Sequence, residues 1–133
     1  MAKIKQITAW VESKPGELGR ITKALGDAKV NIAAMGAYTV PAGGECPIGL
    51  QVSSPAKTKK VLDRLGVRFT EEEVLRITVA DKPGVLGEIG TRLGQANINI
   101  DYAYATTTKG SRKSDVVLAV SDLAAATKAL RGL

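Results

Sequence analysis

Two short turns carry the residues best suited to holding a ligand. Residues 14–16 read Lys-Pro-Gly, and so do residues 82–84. Each turn stands between an alternating apolar stretch and a stretch with helical spacing. A turn that delivers a strand into a helix N-terminus presents unpaired N–H groups at the positive end of the helix dipole. Such a place attracts a carboxylate or a phosphate. Pro15 and Pro83 fix φ where no donor is needed. Gly16 and Gly84 have no Cβ, so a ligand can approach the backbone or the turn can take φ > 0. Asp81 precedes the second turn and could accept from an ammonium group. Its counterpart is the neutral Ser13, so the two turns are not equivalent. The same residues have plainer uses. Ser13 and Asp81 are types that cap helices, and glycine can serve turn geometry alone.

Composition removes most alternatives. The 133 residues contain no histidine and one cysteine, Cys46. Ser-His and Cys-His nucleophile pairs and His-containing zinc sites are therefore excluded. No carboxylate or lysine cluster forms a catalytic signature, so no enzyme activity, metal or cofactor is expected. One cysteine forms no internal disulfide, which suits a reducing compartment. No stretch approaches the roughly 20 apolar residues that span a bilayer. A cytoplasmic protein without a membrane partner is the expectation. Net charge is +6, but acids such as Glu71, Glu72 and Glu73 interrupt the cations. The compact basic cluster is Lys109, Arg112 and Lys113. Aromatics make up 4% of the chain, too few for the stacking platform of an RNA-binding sheet, and nucleic acid is not expected.

The elements that must position the turns come from an internal repeat. Residues 14–32 and 82–100 align without gaps at an offset of about 68, with about 11 of 19 positions identical. Each copy opens on an alternating strand, Ile4 to Val11 and Val74 to Ala80. After the turn, Leu18, Ile21, Leu25 and Ala28, matched by Leu86, Ile89, Leu93 and Ala96, form one face of a helix. A second strand starts near Val30 or Ile98. A turn at Gly43-Gly44 or Lys109-Gly110 leads to a third, Ile48 to Val52 or Val116 to Val120. A second helix follows, with apolar faces of Ala56, Val61, Leu62 and Leu65, or Leu123, Ala126, Leu130 and Leu133. Copy one adds a short strand, Val67 to Phe69.

The expected fold class is α+β: two tandem β-α-β-β-α-β, ferredoxin-like modules at residues 1–69 and 70–133. Each has an antiparallel sheet with both helices on one face and the other face bare. Copy two shows no fourth strand. Its edge stays open, is filled by a strand from elsewhere, or has lost its strand by truncation. Gly87, Gly90 and Gly94 suggest close packing along the third helix, with Gly94, like Gly26, alternatively at a helix end. Tyr102 and Tyr104 share one strand face and suit an interface or a pocket. Cys46 reads as a packing residue. Asn31 and Asn99 can hold the helix-to-strand turns through local hydrogen bonds.

Asp81-Lys82-Pro83-Gly84-Val85-Leu86-Gly87-Glu88-Ile89, with Ala96-Asn97-Ile98-Asn99-Ile100, resembles the signature of ACT domains. Ser13-Lys14-Pro15-Gly16-Glu17-Leu18-Gly19-Arg20-Ile21, with Val30-Asn31-Ile32, resembles it a second time. The resemblance implies regulatory modules that sense amino acids, pair through their sheets as homodimers, and hold ligand where modules meet. It implies ligand contacts from Asp81, Lys82, Pro83, Gly84, Val85, Leu86, Gly87 and Asn99, and from Ser13, Gly16, Glu17, Leu18 and Asn31. A free amino acid would place its carboxylate on the turn amides and its ammonium on Asp81. Output would pass to a separate partner, a metabolic enzyme or regulator. The alternatives are an interaction or nucleic-acid-binding module of the same topology without a metabolite, and an acylphosphatase-like enzyme. The enzyme would need an Arg-bearing phosphate loop that Lys-Pro-Gly does not supply.

Overall fold

The structure is a computed structural model that describes residues 1–38 and 44–133. The elements run β1 (Ala2–Glu12), α1 (Glu17–Asp27), β2 (Ile32–Ala37), β3 (Glu45–Val52), α2 (Pro55–Arg64), β4 (Arg68–Ala80), α3 (Val85–Gln95), β5 (Ile100–Thr107), β6 (Lys113–Val120) and α4 (Leu123–Ala129). Gly44 lies just before β3, while Gly43 of the expected Gly43-Gly44 turn lies outside the described residues. The chain divides into two compact units. The first is Lys5–Glu72; the second joins Met1–Ile4 to Glu73–Leu133.

The first unit orders its strands β2-β3-β1-β4, with β1 and β2 both antiparallel to β3. Helices α1 and α2 cover one face. Their buried Ile21, Leu25, Val61 and Leu62 close on Ile7, Ala9, Val11, Cys46, Ile48 and Leu50. Ser54 caps α2, its hydroxyl accepting from Lys57 N–H at 3.3 Å, and Pro55 opens that helix. The opposite face is not bare, as the alternation alone suggested. Gln6 and Thr8 are 0% and 3% exposed. Gln6 Nε2 donates to Thr8 Oγ1 at 3.1 Å. A Cβ on Gly49 would lie 2.7 Å from that amide nitrogen, so glycine is what lets the Gln6 side chain lie flat on the strands. Farther along this face Trp10 Nε1 donates to Thr70 Oγ1 at 3.1 Å, and the Arg68 guanidinium stacks 5.3 Å from the Trp10 ring centroid.

The second unit repeats the pattern. Strand β6 pairs antiparallel with both β4 and β5. Ile89, Leu93, Ala126 and Leu130 close on Leu75, Ile77, Val79, Val116 and Leu118. Asp122 caps α4, its Oδ1 accepting from Ala125 N–H at 3.0 Å. The fourth strand that copy two lacks comes from the start of β1. Met1–Ile4 belong to this unit and β1 neighbours β4. Ile4 packs on Val74, Val117 and Ala119 beside Tyr102 and Tyr104. The separate strand expected at Val67 to Phe69 is the beginning of one long strand, Arg68–Ala80. The boundaries 1–69 and 70–133 therefore shift, because β1 and β4 each serve both units.

Three local expectations are corrected. The helices α1 and α3 are capped by Gly16 and Gly84, at φ 91° and 92° with no side-chain cap bond, rather than by Ser13 or Asp81. Those φ values lie in the left-handed region, which explains both glycines. Leu18 and Leu86 are 42% and 58% exposed and leave the core stripe. The i, i+4 step back from Ile21 and Ile89 falls on Glu17 and Val85, which turn toward the sheet instead. Gly87, Gly90 and Gly94 are exposed, and a Cβ on any of them would meet nothing within 4 Å. Gly94 and Gly26 belong to helix ends. Their carbonyls accept from Asn97 N–H and Lys29 N–H at 3.0 Å, with Asn97 and Lys29 at φ 57° and 61°.

Candidate functional site

Each unit has a hollow between the N-terminus of its first helix and the adjacent ends of its strands. Backbone bonds place the turns alike: Ser13 N–H donates to Gly44 C=O at 2.8 Å, and Asp81 N–H to Arg112 C=O at 2.9 Å. No side chain caps α1 or α3; Val85 N–H, at the start of α3, donates to Lys82 C=O at 3.5 Å, and the first-turn amides have no intrahelical acceptor. The first hollow, about 530 Å³, is lined by Val11, Glu12, Ser13, Lys14, Pro15, Glu17, Leu18, Ala37, Tyr38, Cys46 and Ile48. The second, about 290 Å³, is lined by Val79, Asp81, Lys82, Pro83, Gly84, Val85, Leu86, Gly87, Ala105, Thr107, Ser114 and Val116. Small-molecule pockets run from about 300 to 1,000 Å³, so the roomier hollow lies in the first unit and the second is at the lower end of that range.

The structure gathers most of the residues expected at a site and separates two of them. Asp81, Lys82, Pro83, Gly84, Val85, Leu86 and Gly87 all line the second hollow, and Ser13, Glu17 and Leu18 line the first. Gly16 is the cap between them in sequence. Asn31 and Asn99 precede β2 and β5, whose other ends form the hollows. Six residues of strand, about 20 Å, separate Asn31 from Ala37 and Asn99 from Ala105. Their backbones are tied down locally. Asn31 N–H donates to Ser53 Oγ at 2.9 Å and Asn99 N–H to Ser121 Oγ at 3.1 Å, while Asn99 Nδ2 donates to Asp101 Oδ1 at 2.9 Å. Sequence reasoning missed the strand contributions, Cys46 and Ser114. They occupy matching places in the repeat, at the same offset of about 68, and alternation along β3 and β6 points both toward the helices. Tyr102 and Tyr104 sit on the other sheet face with Val74, Val117 and Ala119, away from the hollow.

Electrostatics also differ. In the first hollow the Glu17 side chain is only 13% exposed. Its Oε2 accepts from Arg20 Nη2 at 2.8 Å, and Lys14 Nζ lies 3.9 Å from Oε1. The Arg20 hydrogen bond holds the Glu17 carboxyl below the usual range despite partial burial, with further help from the charges of Arg20 and Lys14. Arg20 Nη1 also donates to Leu65 C=O at 3.3 Å, bracing the end of α2. A carboxyl whose folded pKa is depressed stabilises the fold above its unfolded value, about 4.3, and that contribution is lost as pH falls through the folded value. Urea unfolding at pH 3–6 should therefore show a shallower acid limb for Arg20→Met than for the parent. It should be flattened but not abolished, because Asp115, held down mainly by its hydrogen bond from Arg76, titrates the same way. Equal limbs would contradict this account.

Among the described residues no group of three or more Cys, Asp and Glu side chains could hold a metal ion. Among the described residues no helix is long and apolar enough to cross a membrane.

Residues 74–133 match the family model of the ACT domain. No curated protein matches the sequence. Among solved structures, a protein from Bacteroides thetaiotaomicron is similar at TM-score 0.85 and 22% identity, over 97% of this chain and 87% of that one. The regulatory subunit of aspartate kinase from Thermus thermophilus is similar at TM-score 0.67 and 14% identity, over 96% and 87%. That from Thermus flavus is similar at 0.65 and 13%, over 94% and 88%. At these identities the likeness shows the fold: α+β, ferredoxin-like, with antiparallel strands and helices packed on them.

Proposed function

We propose that the ACT domain at residues 74–133 is one of a tandem pair, the other being the first unit, and that the pair senses an amino acid without chemistry on it. The observation that carries this is the repeated hollow. Twice in one chain, a Pro-Gly turn with a left-handed glycine presents uncapped helix N–H groups beside an apolar recess. Those N–H groups suit a carboxylate. Asp81 and Glu17 supply acceptors for an ammonium. Apolar walls suit a side chain. The regulatory role and the partner, a separate metabolic enzyme or regulator, are drawn by analogy with the aspartate kinase regulatory subunits. Asn31 and Asn99 are too far from the turn of their own unit to share its ligand. A site using both needs a second module, and we place it in a homodimer formed through the sheets of two copies, in the cytoplasm.

The test is a thermal-shift screen against the twenty amino acids. One class should stabilise the protein by about 2.7 kcal/mol at a hundredfold excess over the dissociation constant. Asp81→Ala should abolish the shift if the working site is the one at the second turn, and Asn99→Ala should abolish it too where the Asn99 of a second copy completes that site. A flat response to every amino acid would remove the sensing reading and leave an interaction module of the same fold.

A further inference from the structure

The two hollows match position by position, yet their charges do not. In the first, Glu12 and Glu17 line the recess with Lys14. Lys14 Nζ lies 3.5 Å from Glu12 Oε2 and 3.9 Å from Glu17 Oε1, so its charge is already shared between two carboxylates. At the same places the second hollow has Ala80 and Val85. Where Glu12 faces Glu45 in the register of β1 and β3, Ala80 faces Lys113 in that of β4 and β6. The connection before β3 reads Pro41-Ala42-Gly43-Gly44, and its counterpart before β6 reads Lys109-Gly110-Ser111-Arg112. That second connection adjoins the hollow. It joins the strand ends at Thr107 and Ser114, which are register partners and both line the recess. Its Arg112 C=O accepts from Asp81 N–H at 2.9 Å. Lys82 lines the recess itself. Lys82, Lys109 and Arg112 are all exposed, and among the described residues none of them forms an ion pair; the pairs of this unit are Arg76–Asp115 and Arg92–Glu88. Lys113 alternates with Ser114 and so points to the other side of the sheet.

From this charge pattern we infer that the second hollow selects an amino acid with an acidic side chain. The inference rests on the reading of the hollows as amino-acid sites. The α-carboxylate meets the first-turn amides of α3 and the ammonium meets Asp81. Lys82 and the Lys109–Arg112 connection then supply uncompensated positive charge for a second carboxylate. Cations clustered on one side of a cleft raise the local concentration of anions. The first hollow, with its paired Lys14 and two carboxylates, repels the same ligand.

The test uses pairs that differ in charge and scarcely in shape. Calorimetric titration of the full chain with L-aspartate against L-asparagine, and L-glutamate against L-glutamine, should show the acid of at least one pair binding about tenfold more tightly at low salt. That ratio should shrink severalfold between about 0.01 M and about 1 M salt, as the screening length falls from about 30 Å to about 3 Å. The double variant Lys82→Met with Arg112→Met should lose the ratio while its melting temperature without ligand stays near the parent's, since both side chains are exposed and unpaired. Lys82→Arg with Arg112→Lys, which keeps the charge, should retain it and guards against a folding defect in the methionine variant. If the amides bind as tightly as the acids, if the ratio is indifferent to salt, or if it survives in the methionine variant, the inference is overturned while amino-acid sensing stands. If the parent binds no amino acid at all, both fall.

Discussion

Leu93→Ala is expected to lower the unfolding free energy of the second unit by about 2–5 kcal/mol, the range for truncating a fully buried leucine. Leu93 is fully buried, in a cluster with Leu75, Ile77, Ile89 and Leu130. The sheet side of that cluster is built from aliphatic side chains on β4 and β6, which are fixed by strand pairing and cannot easily collapse into the space left behind. Folded domains are stable by only about 5–15 kcal/mol, so the loss is a large part of the total. Leu25 occupies the same place in the first unit, also fully buried, and Leu25→Ala should cost a similar amount. Urea unfolding followed by circular dichroism would measure both. A loss below about 1 kcal/mol for either would mean that the helix packs more loosely on its sheet than described.

Ile4→Asp should lower the stability of the second unit by roughly 2–3 kcal/mol, although the residues that Ile4 packs against, from Val74 to Ala119, lie about 70 to 115 positions farther along the chain. Ile4 is half-buried on the face that holds Val74, Val117, Ala119, Tyr102 and Tyr104. A carboxylate there loses the apolar contact and must be desolvated beside valine and alanine. Hydrogen exchange would locate the effect. Protection should fall first in β5 and β6, which a reading of modules as contiguous segments does not anticipate. If β2 and β3 lost protection while β5 and β6 kept it, the placement of Met1–Ile4 in the second unit would be wrong.

The sequence made much of this legible, for identifiable reasons. The repeat showed both Pro-Gly turns because a left-handed cap demands glycine, and a demand on backbone geometry leaves a mark in residue type. Helical spacing placed Ile21, Leu25, Ile89 and Leu93 in the core, since a 3.6-residue period leaves few other arrangements. It placed Leu18 and Leu86 there too, because at the first turn of a helix spacings of three and four residues are both compatible with one stripe. Gln6 and Thr8 lie on the sheet face that the two-helix arrangement was expected to leave bare. Their burial depends on a hydrogen bond to each other and on the missing Cβ of Gly49, a three-residue arrangement with no periodicity to reveal it. Cys46 and Ser114 were passed over as site residues because each looks ordinary alone. Only their shared position in the repeat, once folded, shows that one hollow ends in a thiol and the other in a hydroxyl. The asparagines were grouped with the turns by resemblance, and strand length is what parts them within a unit.

The placement of Met1–Ile4 has a consequence for dissection. Residues 73–133 are not a cassette that can be cut out and moved. Excised, that segment would carry β4 with its outer backbone groups unmatched beside the exposed flank of Val74, and a bare strand edge of this kind recruits whatever strand is nearest. In a solution of identical fragments the nearest strand belongs to another fragment, so the excised piece should pass into exchanged oligomers. To move the second unit intact, its borrowed strand must travel with it, for instance as a permuted chain in which residues 1–4 are joined after Leu133.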